Sequence, residues 1–130
     1  MKWAVLAVRL LIGAAFVFTA VSYFLKLPMG EPPTDENALK FMSALTASDY
    51  LTAVKVLELL GGLLLLSGRL SPLGLVILVP ITVNITFWDL FLMKNAGPPA
   101  GLILLMLEFF VMRGYWPYFA PFFKPTAKHV

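Results

Sequence analysis

The sequence has no cysteine and a single histidine, His129, which is the penultimate residue. Without cysteine the chain forms no disulfide, carries out no dithiol redox chemistry and offers no thiolate to a metal. One histidine near the end of the chain leaves too few ligands for an internal haem or zinc site of the usual kind. The sequence therefore predicts no metal site and no intrinsic cofactor.

Charged residues are also scarce. They make up 13 % of the 130 residues, and apolar residues make up 60 %, whereas an ordinary soluble domain has about 25 % charged and about 45–50 % apolar residues. The basic residues behind the net charge of +3 are spread beside apolar runs, so nucleic acid is not an expected partner. The composition is typical of one integral membrane domain whose first partner is the lipid bilayer.

Four apolar segments are candidates for membrane spans, at about 3–25, 50–67, 72–93 and 100–116. The first is longer than the apolar core of a signal peptide, which has about 7–15 residues, so we interpret it as a span. The segments end at glycine, proline or clustered charges, and "SGRLSP" and "KNAGPP" are predicted to be tight turns.

The polar region between the first two spans contains a further helix signal. In "ENALKFMSALTA" the apolar residues have nearly helical spacing, and the candidate N-terminal caps are Thr34, Asp35 and Asn37. We expect a short helix at the membrane interface or tucked into the mouth of a bundle. Residues 1–130 are thus predicted to be all-α, an integral membrane four-helix bundle with a short interfacial helix between the first and second spans.

Basic residues favour one orientation. With four spans, the two termini and the turn that contains Arg69 share a side, while the opposite side holds the acidic residues Glu31, Asp35, Glu36 and Asp49. The positive-inside rule then predicts that both termini are cytoplasmic, in a bacterial or archaeal cytoplasmic membrane.

Polar side chains near the centre of a span mark a site, because they are costly in hydrocarbon. Glu58, Asn84 and Glu108 lie near the middle of the second, third and fourth spans, and Arg9 lies on the first. We predict that these four residues form one buried polar cluster. Arg9 neutralises one carboxyl group in this interpretation, and the other pairs with Lys55 or stays protonated.

Lys55, Trp88 and Asp89 are candidate contributors at the edge of the cluster. Helical spacing places Asn84 and Asp89 on opposite faces of the third span, and we assign the Asn84 face to the interior. Two interpretations of the cluster stay open: a structural clamp between helices, or a site for a ligand or a proton.

Four features occur in order along the chain: Arg9 with Gly13, "LELLGGLLLLSGR", "PITVNITF" and Glu108. Taken together they resemble the DoxX family of small four-helix membrane proteins, and the resemblance extends from about Arg9 to Phe119. The chain looks related to DoxD, the membrane partner in thiosulfate:quinone oxidoreductases. Many members of the family have a histidine close to the position of Asp89, in "FWDLF", so a role that needs an imidazole there is in doubt.

The resemblance implies a membrane component of a redox or quinone-linked system. A quinone is then the expected ligand of the polar cluster, and a soluble or membrane oxidoreductase is the expected partner. The chain would be a subunit of a quinone-linked oxidoreductase rather than a self-sufficient enzyme, and no residue is assigned as catalytic. The alternatives are a small proton-coupled carrier and a non-enzymatic assembly or scaffold protein, and a homo-oligomer is compatible with each of them.

Overall fold

The computed structural model describes residues 2–27, 33–93 and 99–125, and all of the regular structure in these ranges is helical. The helices are α1 (Lys2–Phe24), α2 (Glu36–Ala47), α3 (Tyr50–Ser67), α4 (Ser71–Phe87), α5 (Ala100–Gly114) and α6 (Trp116–Phe119). A π-helical turn (Trp88–Leu92) follows α4, and a 3-10 turn (Ala120–Phe123) follows α6. The all-α prediction is confirmed for the described ranges.

Three helical segments are long and apolar enough to cross a membrane: α1, α3, and α4 together with its π turn. The fourth predicted span is less simple. At about 1.5 Å per residue, the 15 residues of α5 reach about 22 Å, which is shorter than a hydrocarbon core of about 30 Å. The segment Trp116–Phe123 continues the apolar run, but it is bent by 93° from α5. The described ranges therefore contain three or four candidate membrane-spanning helices.

The four longest apolar helices contact one another in a closed order: α1 packs on α3, α3 on α4, α4 on α5, and α5 on α1. Aliphatic and aromatic side chains fill the centre: Ile12, Phe16, Leu65, Leu75, Leu78, Val111 and Phe119. Two glycines let α1 and α3 approach closely, because a Cβ atom on Gly13 would lie 2.9 Å from the carbonyl oxygen of Gly62. This contact sets the axial register of the two helices.

The short helix α2 occupies the segment in which a helix was predicted. Of the three candidate caps, Asp35 is the N-cap, and its side chain accepts a hydrogen bond from the backbone N–H of Ala38. α2 packs on α3 and on the π turn, where the rings of Phe41 and Trp88 have centroids 5.7 Å apart. It therefore covers the place where α4 changes to π-helical geometry.

The connection from α3 to α4 is the tight turn predicted for "SGRLSP". Gly68 (φ 74°) and Leu70 (φ 55°) have left-handed backbone conformations, which glycine adopts freely and leucine adopts at a cost. The other predicted turn, "KNAGPP", falls almost entirely on 94–98, outside the described residues, as do Lys128 and His129.

Candidate functional site

Arg9 lies at the end of the molecule that holds the turn between α3 and α4. Its Nη1 atom donates a hydrogen bond of 2.9 Å to the hydroxyl group of Tyr115. The guanidinium group also lies against Gly68, because a Cβ atom there would be 3.3 Å from Nη2. Glu58 precedes Gly68 by ten residues on α3, which is about 15 Å along the helix axis.

This register corrects the predicted position of Arg9. The ion pairs among the described residues are Lys40–Glu36 and Lys55–Glu58, so Arg9 pairs with neither of the carboxyl groups expected to meet it. The close contact between α1 and α3 places Arg9 level with the C-terminal end of α3, well away from Glu58. The expected single cluster is consequently divided.

Glu58 instead pairs with Lys55 on its own helix. The Nζ atom of Lys55 lies 2.9 Å from Oε2 of Glu58, and the two side chains are 18 % and 4 % exposed. Residues three positions apart share one face of a helix, so this pair needs no contact from another element. The structure thus agrees with the predicted alternative in which Lys55 neutralises a carboxyl group.

Lys55 and Glu58 line a cavity of about 830 Å³ between α2, α3 and α4, which we call the aromatic cavity. Small-molecule sites commonly have volumes of about 300–1,000 Å³ and mostly apolar walls with a few polar groups. Three other residues selected from the sequence, Asn84, Trp88 and Asp89, line the same cavity. The rest of the wall is aromatic or aliphatic and includes Phe41, Met42, Tyr50, Ile81, Phe87 and Phe91.

Asn84 is exposed rather than buried, which corrects the face that the sequence assigned to the interior. The face of α4 that packs inward carries Thr82 and Thr86. Each threonine hydroxyl lies within hydrogen-bond distance of the backbone carbonyl one turn earlier, at 3.0 Å and 2.8 Å. A hydroxyl satisfied by its own helix is tolerated in the core, and this leaves Asn84 on the side of the aromatic cavity.

The π turn positions Asp89 between α4 and α5. Its Oδ2 atom accepts a hydrogen bond of 2.7 Å from the backbone N–H of Gly101, in the first turn of α5, where a negative charge is favourable. Glycine is needed at 101 because a Cβ atom would lie 2.7 Å from the backbone nitrogen of Thr86. Asp89 therefore joins two helices and also lines the cavity.

Glu108 lies in the core and is not among the residues that line the aromatic cavity. Its Oε1 atom is 2.8 Å from the hydroxyl oxygen of Thr82, which is 3.0 Å from the carbonyl oxygen of Leu78. A hydroxyl group has only one proton to donate. The Thr82 hydroxyl group therefore divides its one donor between Oε1 of Glu108 and the carbonyl oxygen of Leu78.

Two polar contacts were not predicted from the sequence. They are the hydrogen bond between Arg9 and Tyr115 and the hydrogen bond between Thr82 and Glu108. Thr82 and Thr86 are spaced by one helical turn, and two hydroxyl side chains on one face are a signal for a packed, self-satisfied surface. Tyr115 had no comparable signal, because its contact with Arg9 joins residues far apart in the chain.

The chain matches no protein-family model, no curated protein and no solved structure. The resemblance to the DoxX family therefore stays a prediction.

Proposed function

We propose that this protein is an integral membrane four-helix bundle that binds a quinone-like molecule in the aromatic cavity, as the membrane component of a redox system. In this proposal α1, α3, α4 and α5 form the bundle, α2 lies at the membrane interface, and both termini are cytoplasmic. The observation that carries the proposal is the Lys55–Glu58 ion pair in the lining of an otherwise mainly apolar cavity.

The polar part of the cavity suits the head of a quinone. The ammonium group of Lys55 has three N–H donors. The contact with Glu58 uses some of these donors and leaves the others for a ligand. A quinone carbonyl oxygen is an acceptor, so it complements the remaining donors. Glu58 holds the ammonium group at one place, which reduces the entropy lost when a ligand binds.

The walls suit the ring and the tail. Phe41 and Trp88 are tilted by 43° with their centroids 5.7 Å apart, and Phe87 and Phe91 form a second aromatic pair. Flat apolar rings pack well on such surfaces. Because the chain has no cysteine, it has no dithiol to supply electrons, so in this proposal a partner oxidoreductase exchanges electrons with the bound quinone.

A titration with a short-chain quinone in detergent tests the proposal, with the quenching of tryptophan fluorescence as the readout. Trp88 lines the cavity, so we expect saturable quenching that is lost in Trp88→Phe. Glu58→Gln and Lys55→Met should each raise the dissociation constant by about tenfold or more, since each removes one half of the ion pair.

Glu108→Gln is the matched control, because it makes the same change in a buried carboxyl group outside the cavity lining. The dissociation constant of Glu108→Gln for the quinone should stay within about twofold of the wild-type value, a change of less than about 0.5 kcal/mol in the free energy of binding. Absence of saturable quenching with every quinone tried would refute the proposal. Equal weakening by Glu58→Gln and Glu108→Gln would refute the assignment of this cavity.

A proton-coupled carrier is the second candidate, and the observation that favours it is Glu108. This side chain is fully buried, and Oε2 has no hydrogen-bond partner among the described residues; buried carboxyl groups of this kind serve as proton relays in transporters. The π turn after α4 adds a helix irregularity of the type found at functional sites. Proton flux into proteoliposomes that is abolished by Glu108→Gln would favour the carrier.

A further inference from the structure

A second pocket, of about 550 Å³, lies at the opposite end of the helices, where the turn between α3 and α4 meets α6 and the 3-10 turn. We call it the Ser71 pocket. Its wall is mostly apolar and includes Leu73, Val76, Phe119 and Phe122. Its hydroxyl-bearing residues are Ser71, Tyr115 and Tyr118. None of these residues lines the aromatic cavity, so the two pockets are separate.

Ser71 has a buried hydroxyl group without a partner. It is the first residue of α4 and is 1 % exposed, and its Oγ atom forms no hydrogen bond with any described residue. A buried hydroxyl that lacks a partner costs free energy. A ligand in the pocket that accepts a hydrogen bond from Ser71 removes this cost.

The N-terminus of α4 adds a positive potential at the same place. The first backbone N–H groups of a helix have no intrahelical acceptor, and they form the positive end of the helix dipole. A capping side chain usually supplies an oxygen there. In α4 the N-cap residue is Leu70, which makes no side-chain hydrogen bond, and Pro72 has no N–H group, so the remaining N–H groups of the first turn have no capping side chain.

Arg9 supplies a full positive charge behind the pocket wall. Its guanidinium group contacts Gly68 and donates to Tyr115, and both of these residues line the pocket. The Nε atom of Arg9 is buried and has no partner among the described residues. Neither of the ion pairs in the described ranges involves Arg9, so no carboxylate there neutralises this charge.

We propose that the Ser71 pocket binds the phosphate of an anionic phospholipid headgroup. Ser71 donates a hydrogen bond to a phosphate oxygen, while Arg9 and the N-terminus of α4 provide the positive potential. The apolar wall accepts the first part of an acyl chain. Basic pockets between membrane helices recognise anionic headgroups in this way.

Exposed aromatic side chains favour a lipid over a soluble anion as the source of the phosphate. Trp116, Tyr118, Phe122 and Phe123 are 45–75 % exposed, and they follow the 93° bend after α5. Aromatic residues of this kind are enriched at the level of lipid headgroups. A headgroup site beside them lies within reach of the bilayer.

Native mass spectrometry of the full chain in detergent tests the proposal, with added phosphatidylglycerol or phosphatidylcholine. We expect the wild type to retain phosphatidylglycerol at least about tenfold more strongly. Ser71→Ala should reduce the retention of phosphatidylglycerol because it removes the donor to the phosphate. Ser71→Asp should abolish the preference for phosphatidylglycerol because the carboxylate repels an anionic lipid, and this variant should fold because a negative charge at the start of a helix is favourable.

Ser43→Ala is the matched control, because Ser43 is an exposed serine on α2 that does not line the Ser71 pocket. It should leave the preference unchanged. Melting temperatures in lipid-free detergent show whether each variant is folded. If Ser71→Ala is unstable, Ser71→Asp alone tests the proposal. Equal retention of the two lipids by the wild type, or a preference that survives in folded Ser71→Asp, would overturn the proposal. Displacement of phosphatidylglycerol by equimolar inorganic phosphate would overturn its assignment to a lipid.

Discussion

The hydroxyl oxygen of Thr82 on α4 lies 2.8 Å from Oε1 of Glu108 on α5, and both residues are fully buried. This contact joins the two helices through polar atoms in their buried interface. Oε2 of Glu108 has no partner among the described residues, so Thr82 is the only described side chain that hydrogen-bonds to this carboxyl group.

Thr82→Val tests this contact, because it keeps the shape of the side chain and removes the hydroxyl group. We expect a loss of about 1 kcal/mol in the free energy of unfolding, measured by SDS-induced unfolding in mixed micelles. Thr19→Val is the control, since the Thr19 hydroxyl bonds only to Phe16 of its own helix. A loss in Thr19→Val as large as that in Thr82→Val would contradict a specific role for the interhelical bond.

Glu108→Gln should be tolerated, whereas Glu108→Leu should not. The amide group keeps the volume of the carboxyl group and can donate to Thr82 or accept from it, so we expect a change within about 0.5 kcal/mol. Leucine leaves the Thr82 contact unmade and should cost about 1 kcal/mol. The same unfolding assay gives both values, and a Glu108→Gln variant that fails to fold would show that the site requires a carboxyl group.

Tyr115→Phe removes the acceptor of the Arg9 hydrogen bond. We expect a loss of about 1 kcal/mol in the free energy of unfolding, because Arg9 Nη1 is left without its partner. Tyr118→Phe is the matched control, since Tyr118 is a nearby tyrosine that is 66 % exposed. Equal stability of Tyr115→Phe and the wild type would show that water replaces the tyrosine hydroxyl at no cost.

Gly13→Ala should separate α1 from α3. The added Cβ atom would lie 2.9 Å from the backbone oxygen of Gly62 and 3.0 Å from Leu66, and backbone atoms cannot move aside as a flexible side chain can. We expect a loss of about 1–3 kcal/mol in the same assay. Ala14→Leu adds a larger group on an exposed position of the same helix and should have little effect; a comparable loss there would rule out the packing explanation.

The proposed orientation can be tested by single-cysteine labelling, which is simple because the chain has no cysteine. Ser43 on α2 and Ser67 at the end of α3 are both exposed. With cytoplasmic termini, an impermeant maleimide added to intact cells should label Ser43→Cys and not Ser67→Cys. The opposite pattern would reverse the topology, and labelling of both after membrane disruption confirms that each site is reactive.

Local sequence patterns were sufficient for the helices. Apolar runs and their glycine and proline boundaries predicted the long helices to within about two residues at each end when the π turn is counted with α4, and Asp35 was identified as a candidate cap of α2. These features depend on residues close together in the chain. The fourth span was predicted to end at about 116, but the apolar segment Trp116–Phe123, which is bent by 93° from α5, was not predicted.

The sequence by itself determined a helical chain of membrane composition and selected the polar residues on its apolar segments as candidates: Arg9, Lys55, Glu58, Asn84, Asp89 and Glu108. The tertiary structure decided how they are grouped. The contact of Gly13 with Gly62 sets the register that takes Arg9 away from Glu58, and the packing of α4 on α5, where Thr82 meets Glu108, decides which face of α4 is buried. Both outcomes depend on how helices distant in the chain pack, because residue spacing within one helix specifies its faces but neither its neighbours nor their axial alignment.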